Sequence, residues 1–182
     1  MLEFNKEFVE EEKYKNYSRE KYPQKRIAVL SCMDARLTEL LPAALNFRNG
    51  DIKIIKNAGA VISHPYGSVM RSLLVAIYEL GVEDIAVIGH HDCGMLGMDA
   101  SRLIRKMTER GIGKNAFDDV CNCVDIDQWL CGFENVEDSI RETVKAIKEH
   151  PLIPLDIRIH GFVIDPDTGR LDSVLALDAH TN

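Results

Sequence analysis

The sequence predicts an α/β fold: a mostly parallel sheet with helices on both faces, closed by an antiparallel hairpin at its C-terminal end. Three observations predict it. Short apolar runs rich in β-branched residues recur, as in Ile85-Ala86-Val87-Ile88. Each is too short for a helix and has no apolar–polar alternation, so it reads as a strand buried on both faces. Segments with helical spacing of apolar residues separate these runs, and strand–helix–strand alternation makes neighbouring strands parallel. The last two strand candidates are separated only by Asp165-Pro166-Asp167-Thr168-Gly169, which is a turn and not a crossover.

In order, residues 2–17 carry Leu2, Phe4, Phe8, Val9, Tyr14 and Tyr17 among acids and lysines and predict an amphipathic helix. Residues 1–25 are thus a helical N-terminal arm, suited to packing or to wrapping a partner subunit, and Tyr22-Pro23-Gln24-Lys25 ends it. The first strand covers 26–31 and runs into Cys32-Met33-Asp34-Ala35-Arg36-Leu37. A short helix follows over 38–46, with Pro42 placed in its first turn, where a missing N–H costs least. Asn49-Gly50 is a turn, 52–56 the second strand, and Asn57-Ala58-Gly59-Ala60 its exit. After the loop His64-Pro65-Tyr66-Gly67, Ser68 can cap a helix with Val69, Leu73, Ala76, Ile77 and Leu80 on one face and Gly81 as its stop. The strand 85–88 ends in Gly89-His90-His91-Asp92-Cys93-Gly94. Leu96, Ala100, Leu103 and Met107 mark a helix ended by Gly111, and 112–132 is irregular. Asn135 can cap a helix with Val136, Ile140, Val144 and Ile147 on one face, ended by Pro151 and Pro154. Strands at 157–164 and 170–177 make the hairpin.

Composition limits the function classes. A chain of 182 residues with 46% hydrophobic content suits one domain, 1–182, with a real core. Its net charge of −7 argues against a general nucleic-acid binder and a polybasic membrane surface. No apolar run approaches the ~20 residues that span a membrane. Residues 1–25 are charged and contain no apolar signal core, and the five cysteines are odd in number and irregularly spaced. They read as reduced thiols or metal ligands in a cytoplasmic protein.

Two strands end in residues that bind soft metals, Cys32 on the first and His90 with Cys93 on a later one. Parallel strands present their carboxyl ends at one sheet edge, where ligands bind in open α/β sheets. If these two strands are neighbours, Cys32, His90 and Cys93 converge. Two thiolates and an imidazole favour zinc, and three protein ligands with one free position are the pattern of a catalytic site, whereas four closed ligands are structural. Asp34 can orient a bound water or take the fourth position itself, and Arg36 can hold Asp34 by a two-pronged pair; both could equally be an ordinary surface ion pair. Cys121, Cys123 and Cys131 are a weaker candidate for a second metal site, since they lack a fourth partner, and otherwise are free thiols.

Cys32-x-Asp34-x-Arg36 after the first strand and His90-x-x-Cys93-Gly94 after a later one resemble the β-class carbonic anhydrases. Lys56-Asn57-Ala58-Gly59-Ala60 is similar to that family's Arg-Asn-Ala-Gly segment, with Lys56 where Arg is usual and Ala60 where a second Gly is common. The stretch 160–165 with Thr168-Gly169-Arg170-Leu171 resembles its closing hairpin. The resemblance covers 26–177, is greatest to the compact prokaryotic branch, and leaves 121–131 without a counterpart. It implies a four-stranded parallel core with an added C-terminal antiparallel strand, and a homodimer or dimer-based oligomer with the site near the interface. It implies Cys32, His90 and Cys93 as ligands of one Zn²⁺ per chain and Asp34–Arg36 as the catalytic dyad.

The implied activity is reversible hydration of CO₂ to bicarbonate and a proton. Zinc lowers the pKa of bound water to about 7 and so makes a hydroxide nucleophile, which Asp34 would aim by accepting its proton in a hydrogen bond. His91 and His64 are candidates for the proton relay only because His titrates near neutral pH. The alternatives are a related zinc hydrolase acting on carbon disulfide, and a non-catalytic protein whose zinc is closed by Asp34.

Overall fold

The computed structural model describes residues 1–175. Its five strands are β1 (Ile27–Cys32), β2 (Ile52–Asn57), β3 (Asp84–His90), β4 (Arg158–Ile164) and β5 (Leu171–Ser173). They form one sheet in the order β2-β1-β3-β4-β5. The first four are parallel, and β5 pairs antiparallel with β4 through Phe162↔Ser173, Val163↔Asp172 and Ile164↔Leu171. This is the α/β architecture read from the sequence. The predicted end of the last strand, Ala176 and Leu177, lies outside the described residues.

The order also fixes where the site must be. From β1 the chain goes outward to β2, then crosses to the other side of β1 for β3. Ser31 of β1 pairs with both Lys56 of β2 and Ile88 of β3, so these strands end level. A crevice opens at such a switch point, beyond the carboxyl ends of β1 and β3.

The helices are α1 (Leu2–Glu10), α2 (Leu37–Ala44), α3 (Ser68–Leu80), α4 (Ala100–Glu109), α5 (Lys114–Cys121), α6 (Ile126–Leu130) and α7 (Val136–Lys148). Side chains alternate across the strands and build two cores. Ala28, Leu30, Ile85 and Val87 face α3 and α7, meeting Met70, Leu73, Ile77, Ile140, Val144 and Ile147. Val29, Ala86, Ile88 and Ile164 face α2 and meet Leu37 and Leu41. Gly89 allows α7 to lie close to β3: a Cβ there would stand 2.8 Å from Ile140 Cδ1 and 3.1 Å from Val136 Cγ1. The Asn135 side chain accepts the Asp138 N–H at 2.9 Å, and Gly81 ends α3 in a left-handed conformation, as the sequence predicts.

Several local expectations are corrected. The N-terminal segment is not one helix: Glu12, at φ 51°, breaks it between α1 and a 3₁₀ helix at Lys13–Tyr17. Pro42 lies near the end of α2, where it drops an intrahelical N–H bond; Phe47 N–H closes that end on the Pro42 carbonyl at 2.8 Å. Gly67, not Ser68, occupies the cap position of α3, and no side chain caps it. Leu96 precedes α4 and bridges to Phe133. The stretch expected to be irregular holds α5 and α6. Among the described residues, no helix is long and apolar enough to cross a membrane.

Candidate metal centre

Cys32 is the last residue of β1 and His90 the last of β3, and Cys93 lies on the turn that follows. All three are nearly sealed from solvent, at 5%, 1% and 6% exposure. Their candidate ligand atoms lie within 4.8 Å of one another, and the two sulfurs are 3.9 Å apart. Two sulfurs each ~2.3 Å from a tetrahedral zinc stand roughly 3.8 Å apart, so the thiols are already spaced for a shared ion.

The imidazole is oriented for the same purpose. His90 Nδ1–H donates to the His91 carbonyl at 2.8 Å, which leaves the lone pair on Nε2. That Nε2 is buried and has no hydrogen-bond partner, and an orphaned buried polar atom costs stability unless something else satisfies it. The donor set of two sulfurs and an unpartnered imidazole nitrogen fits zinc.

Charge in the cluster is coupled. The Cys93 thiol, donating to Cys32, is the largest influence lowering the Cys32 pKa; burial opposes it, and His90 and the Gly59 N–H, 3.4 Å from the sulfur, assist. Cys93 is pushed up in turn, first by the hydrogen bond to Cys32 and then by burial. Burial disfavours an imidazolium at His90, but the neighbouring Cys32 thiolate raises its pKa overall. A divalent cation bound there would replace these mutual interactions by bonds to deprotonated sulfurs and a neutral imidazole.

Beside the cluster, Asp34 and Arg36 form a two-pronged pair. Arg36 Nε donates to Asp34 Oδ1 at 3.1 Å and Nη2 to Oδ2 at 2.9 Å, while the Arg36 backbone N–H donates to Oδ1 at 2.9 Å. The guanidinium, then that N–H, hold the Asp34 pKa down to about 2. Asp34 Oδ2 lies 3.8 Å from His90 Nε2, so the carboxylate borders the cluster without joining it.

A protein-family model described as carbonic anhydrase matches residues 27–171, which contain all five of these residues. The solved structure of β-carbonic anhydrase isoform I from Trichomonas vaginalis superposes with a TM-score of 0.85 at 34% identity, covering 96% of this chain and 97% of that one. The chain belongs to the β-class carbonic anhydrase family. Within and around that family, the Bacillus subtilis protein named "Putative carbonic anhydrase YtiB" is 51% identical over 176 residues, spanning 96% of this chain and 94% of its own length. The carbon disulfide hydrolase of Acidithiobacillus thiooxidans is 27% identical over 159 residues, 81% of this chain and 76% of its own length.

The fold brings together the five site residues that the sequence singled out in this family member. Other candidates stay apart. Cys121, Cys123 and Cys131 are exposed, and among the described residues the metal-competent cluster is Cys32, His90 and Cys93, without them. His64 accepts the Tyr66 N–H at 3.0 Å on Nδ1, and its ring belongs to an aromatic row with Tyr66 and His150. His91 is exposed. The sequence reading assigned no role to Asp92, Met95 or Phe133. Asp92 contacts Arg36, and Met95 and Phe133 pack against the core that includes both thiols. A charged residue between two ligand positions was the available signal for Asp92; nothing local marks the other two.

Proposed function

We propose that this chain is a zinc-dependent carbonic anhydrase that hydrates CO₂ reversibly to bicarbonate and a proton. The observation that carries the reading is the unpartnered Nε2 of His90, buried between two closely spaced thiols and beside an arginine-held carboxylate. Cys32, His90 and Cys93 would hold one zinc ion and leave one position free. When bound there, zinc supplies Lewis acidity and makes a nucleophile from water near neutral pH.

The protein's own groups do the rest. Asp34, ionised at any physiological pH, is acceptor-only; it takes a hydrogen bond from the attacking water species and aims that oxygen at the substrate carbon. Arg36 keeps the carboxylate turned to this task and off the cluster. Met95 and Phe133 give the site an apolar wall, as CO₂ carries no charge to grip. His91, exposed one residue beyond His90, is the proton-relay candidate.

A second copy of the chain covers its open apolar surface in this reading. No residue of α1 is buried, leaving Leu2 and Phe4 81% and 67% exposed, and Ile54 on the outer strand β2 is 44% exposed. Light scattering at micromolar concentration should find a dimer, and a monomer alone would remove that part of the proposal.

The relationship to carbon disulfide hydrolase supports one rival substrate. Stopped-flow hydration of CO₂, run beside carbon disulfide hydrolysis with zinc measured per chain, separates the readings. CO₂ hydration that is lost on chelation and restored by one zinc per chain is expected. Full zinc content without CO₂ hydration at any pH overturns it.

A further inference from the structure

The turn that carries Cys93 also grips the dyad. Asp92 has a φ of 53°, in the left-handed region that residues with a Cβ seldom occupy. In this conformation its carbonyl and its carboxylate meet the same guanidinium. Arg36 Nη2 donates to the Asp92 carbonyl at 3.0 Å, and Nη1 donates to Asp92 Oδ2 at 2.9 Å. The adjacent edge of Arg36, Nε and Nη2, reads the two oxygens of Asp34. Four of the five guanidinium N–H groups are thereby engaged.

A guanidinium held along one edge can swing about that edge; held along two, its plane is set. The second grip matters here because Arg36 is 39% exposed and water competes for it. It matters also because Asp34 Oδ2 is 3.8 Å from His90 Nε2, so a small turn of the carboxylate changes whether it faces the cluster.

We propose that Asp92 is a positioning residue for the hydration reaction, setting the plane of Arg36 and, through it, the direction of the Asp34 carboxylate. The inference rests on the carbonic anhydrase reading above. Asp92 acts through Arg36 and touches neither substrate nor metal; its side chain is 85% exposed. Its backbone contribution comes from the same bend that delivers Cys93, so the metal-binding turn and the dyad are set together.

Two variants test this. Asp92→Gly keeps the left-handed bend and the carbonyl but removes the carboxylate. Asp92→Asn tolerates the bend and keeps an acceptor oxygen without the charge. At equal zinc content, Asp92→Gly should lower kcat roughly two- to fivefold with KM unmoved, and Asp92→Asn should recover part of the loss. Solvent exchange of the Arg36 Nε–H, followed by NMR in the metal-free protein, should quicken by a similar roughly two- to fivefold factor in Asp92→Gly and by less in Asp92→Asn. Unchanged kcat and unchanged exchange in Asp92→Gly overturn the proposal; if that variant does not fold, native behaviour of Asp92→Asn in both measurements does so. If the native zinc-loaded chain does not hydrate CO₂, the hydration reading fails on its own, while Arg36 exchange still reports whether Asp92 sets the guanidinium.

Discussion

Replacing Arg36 by alanine tests the dyad most directly. The variant loses the guanidinium but keeps the residue 36 backbone N–H, which donates to Asp34 Oδ1 at 2.9 Å. Arg36's side chain is the largest cause, and its backbone N–H the second, holding the Asp34 pKa at about 2, against about 3.9 for a free Asp. Alanine should therefore return at least half of that difference, so Asp34 titrates about one pH unit or more higher, equivalent to about 1.4 kcal/mol or more. Solvent reaches the pair, at 20% exposure for Asp34 and 39% for Arg36, so about 1 kcal/mol is the working figure. Expressed wholly in the transition state, that is a loss of roughly fivefold in rate.

The same lowered pKa stabilises the native fold above the ordinary carboxylate range, and the contribution disappears as pH falls from about 4 through the folded value of about 2. The alanine variant should lack that part of its acid dependence. A carbon-detected NMR titration of Asp34 in the metal-free chain measures the first effect. Stopped-flow CO₂ hydration at pH ~8 and equal zinc content measures the second, since zinc-bound water ionises near pH ~7. Arg36→Lys should fall between native and alanine, because an ammonium cannot make the two-pronged contact. An Asp34 pKa and a hydration rate both unchanged in Arg36→Ala would refute the reasoning and leave the dyad a surface ion pair.

Cys32→Ser and Cys93→Ser should each lose zinc and activity together if, as proposed, the two thiolates neutralise the ion; full zinc by elemental analysis in either purified variant contradicts the ligand assignment. Gly89→Ala should cost about 1–3 kcal/mol by overpacking, since its Cβ would meet Ile140 Cδ1 at 2.8 Å; an unchanged urea midpoint would mean that α7 yields freely. The Asp84 pKa is lowered by Arg158 first, with burial opposing and His160 assisting, so its stabilisation holds above the ordinary carboxylate range and is lost as pH falls through the lowered value. Asp84→Asn should thus cost about 1 kcal/mol at neutral pH and flatten the acid limb of stability, and parallel urea curves of both proteins at every pH would count against it.

Much of this molecule is written in contiguous residues. Ile85-Ala86-Val87-Ile88 reads as a buried strand wherever it is placed, because the lack of polar residues forbids a solvent face. Asn135 and Gly81 read as a cap and a stop because their backbone preferences act within a turn or two. The ligand types are legible for the same reason: Cys32 and His90 terminate strands, and parallel strands end at one edge. Failures are equally local in origin. Periodicity carried a helix through Glu12, where a left-handed residue breaks it, and the sparse apolar pattern of 112–132 hid α5 and α6, two short helices outside both cores.

By itself, then, the sequence determined the strand and helix alternation and set the candidate ligands Cys32, His90 and Cys93 at strand ends, since each follows from residue chemistry and short-range spacing, whereas spacing alone leaves Asp34 and Arg36 open between a dyad and a surface ion pair. Tertiary structure alone decided that β1 lies beside β3 although β2 comes between them in the chain, and that Asp92 reaches Arg36 across 56 positions. Strand order depends on which apolar faces find each other, and a contact of that span depends on register and on the sign of one backbone angle. Neither quantity is carried by neighbouring residues.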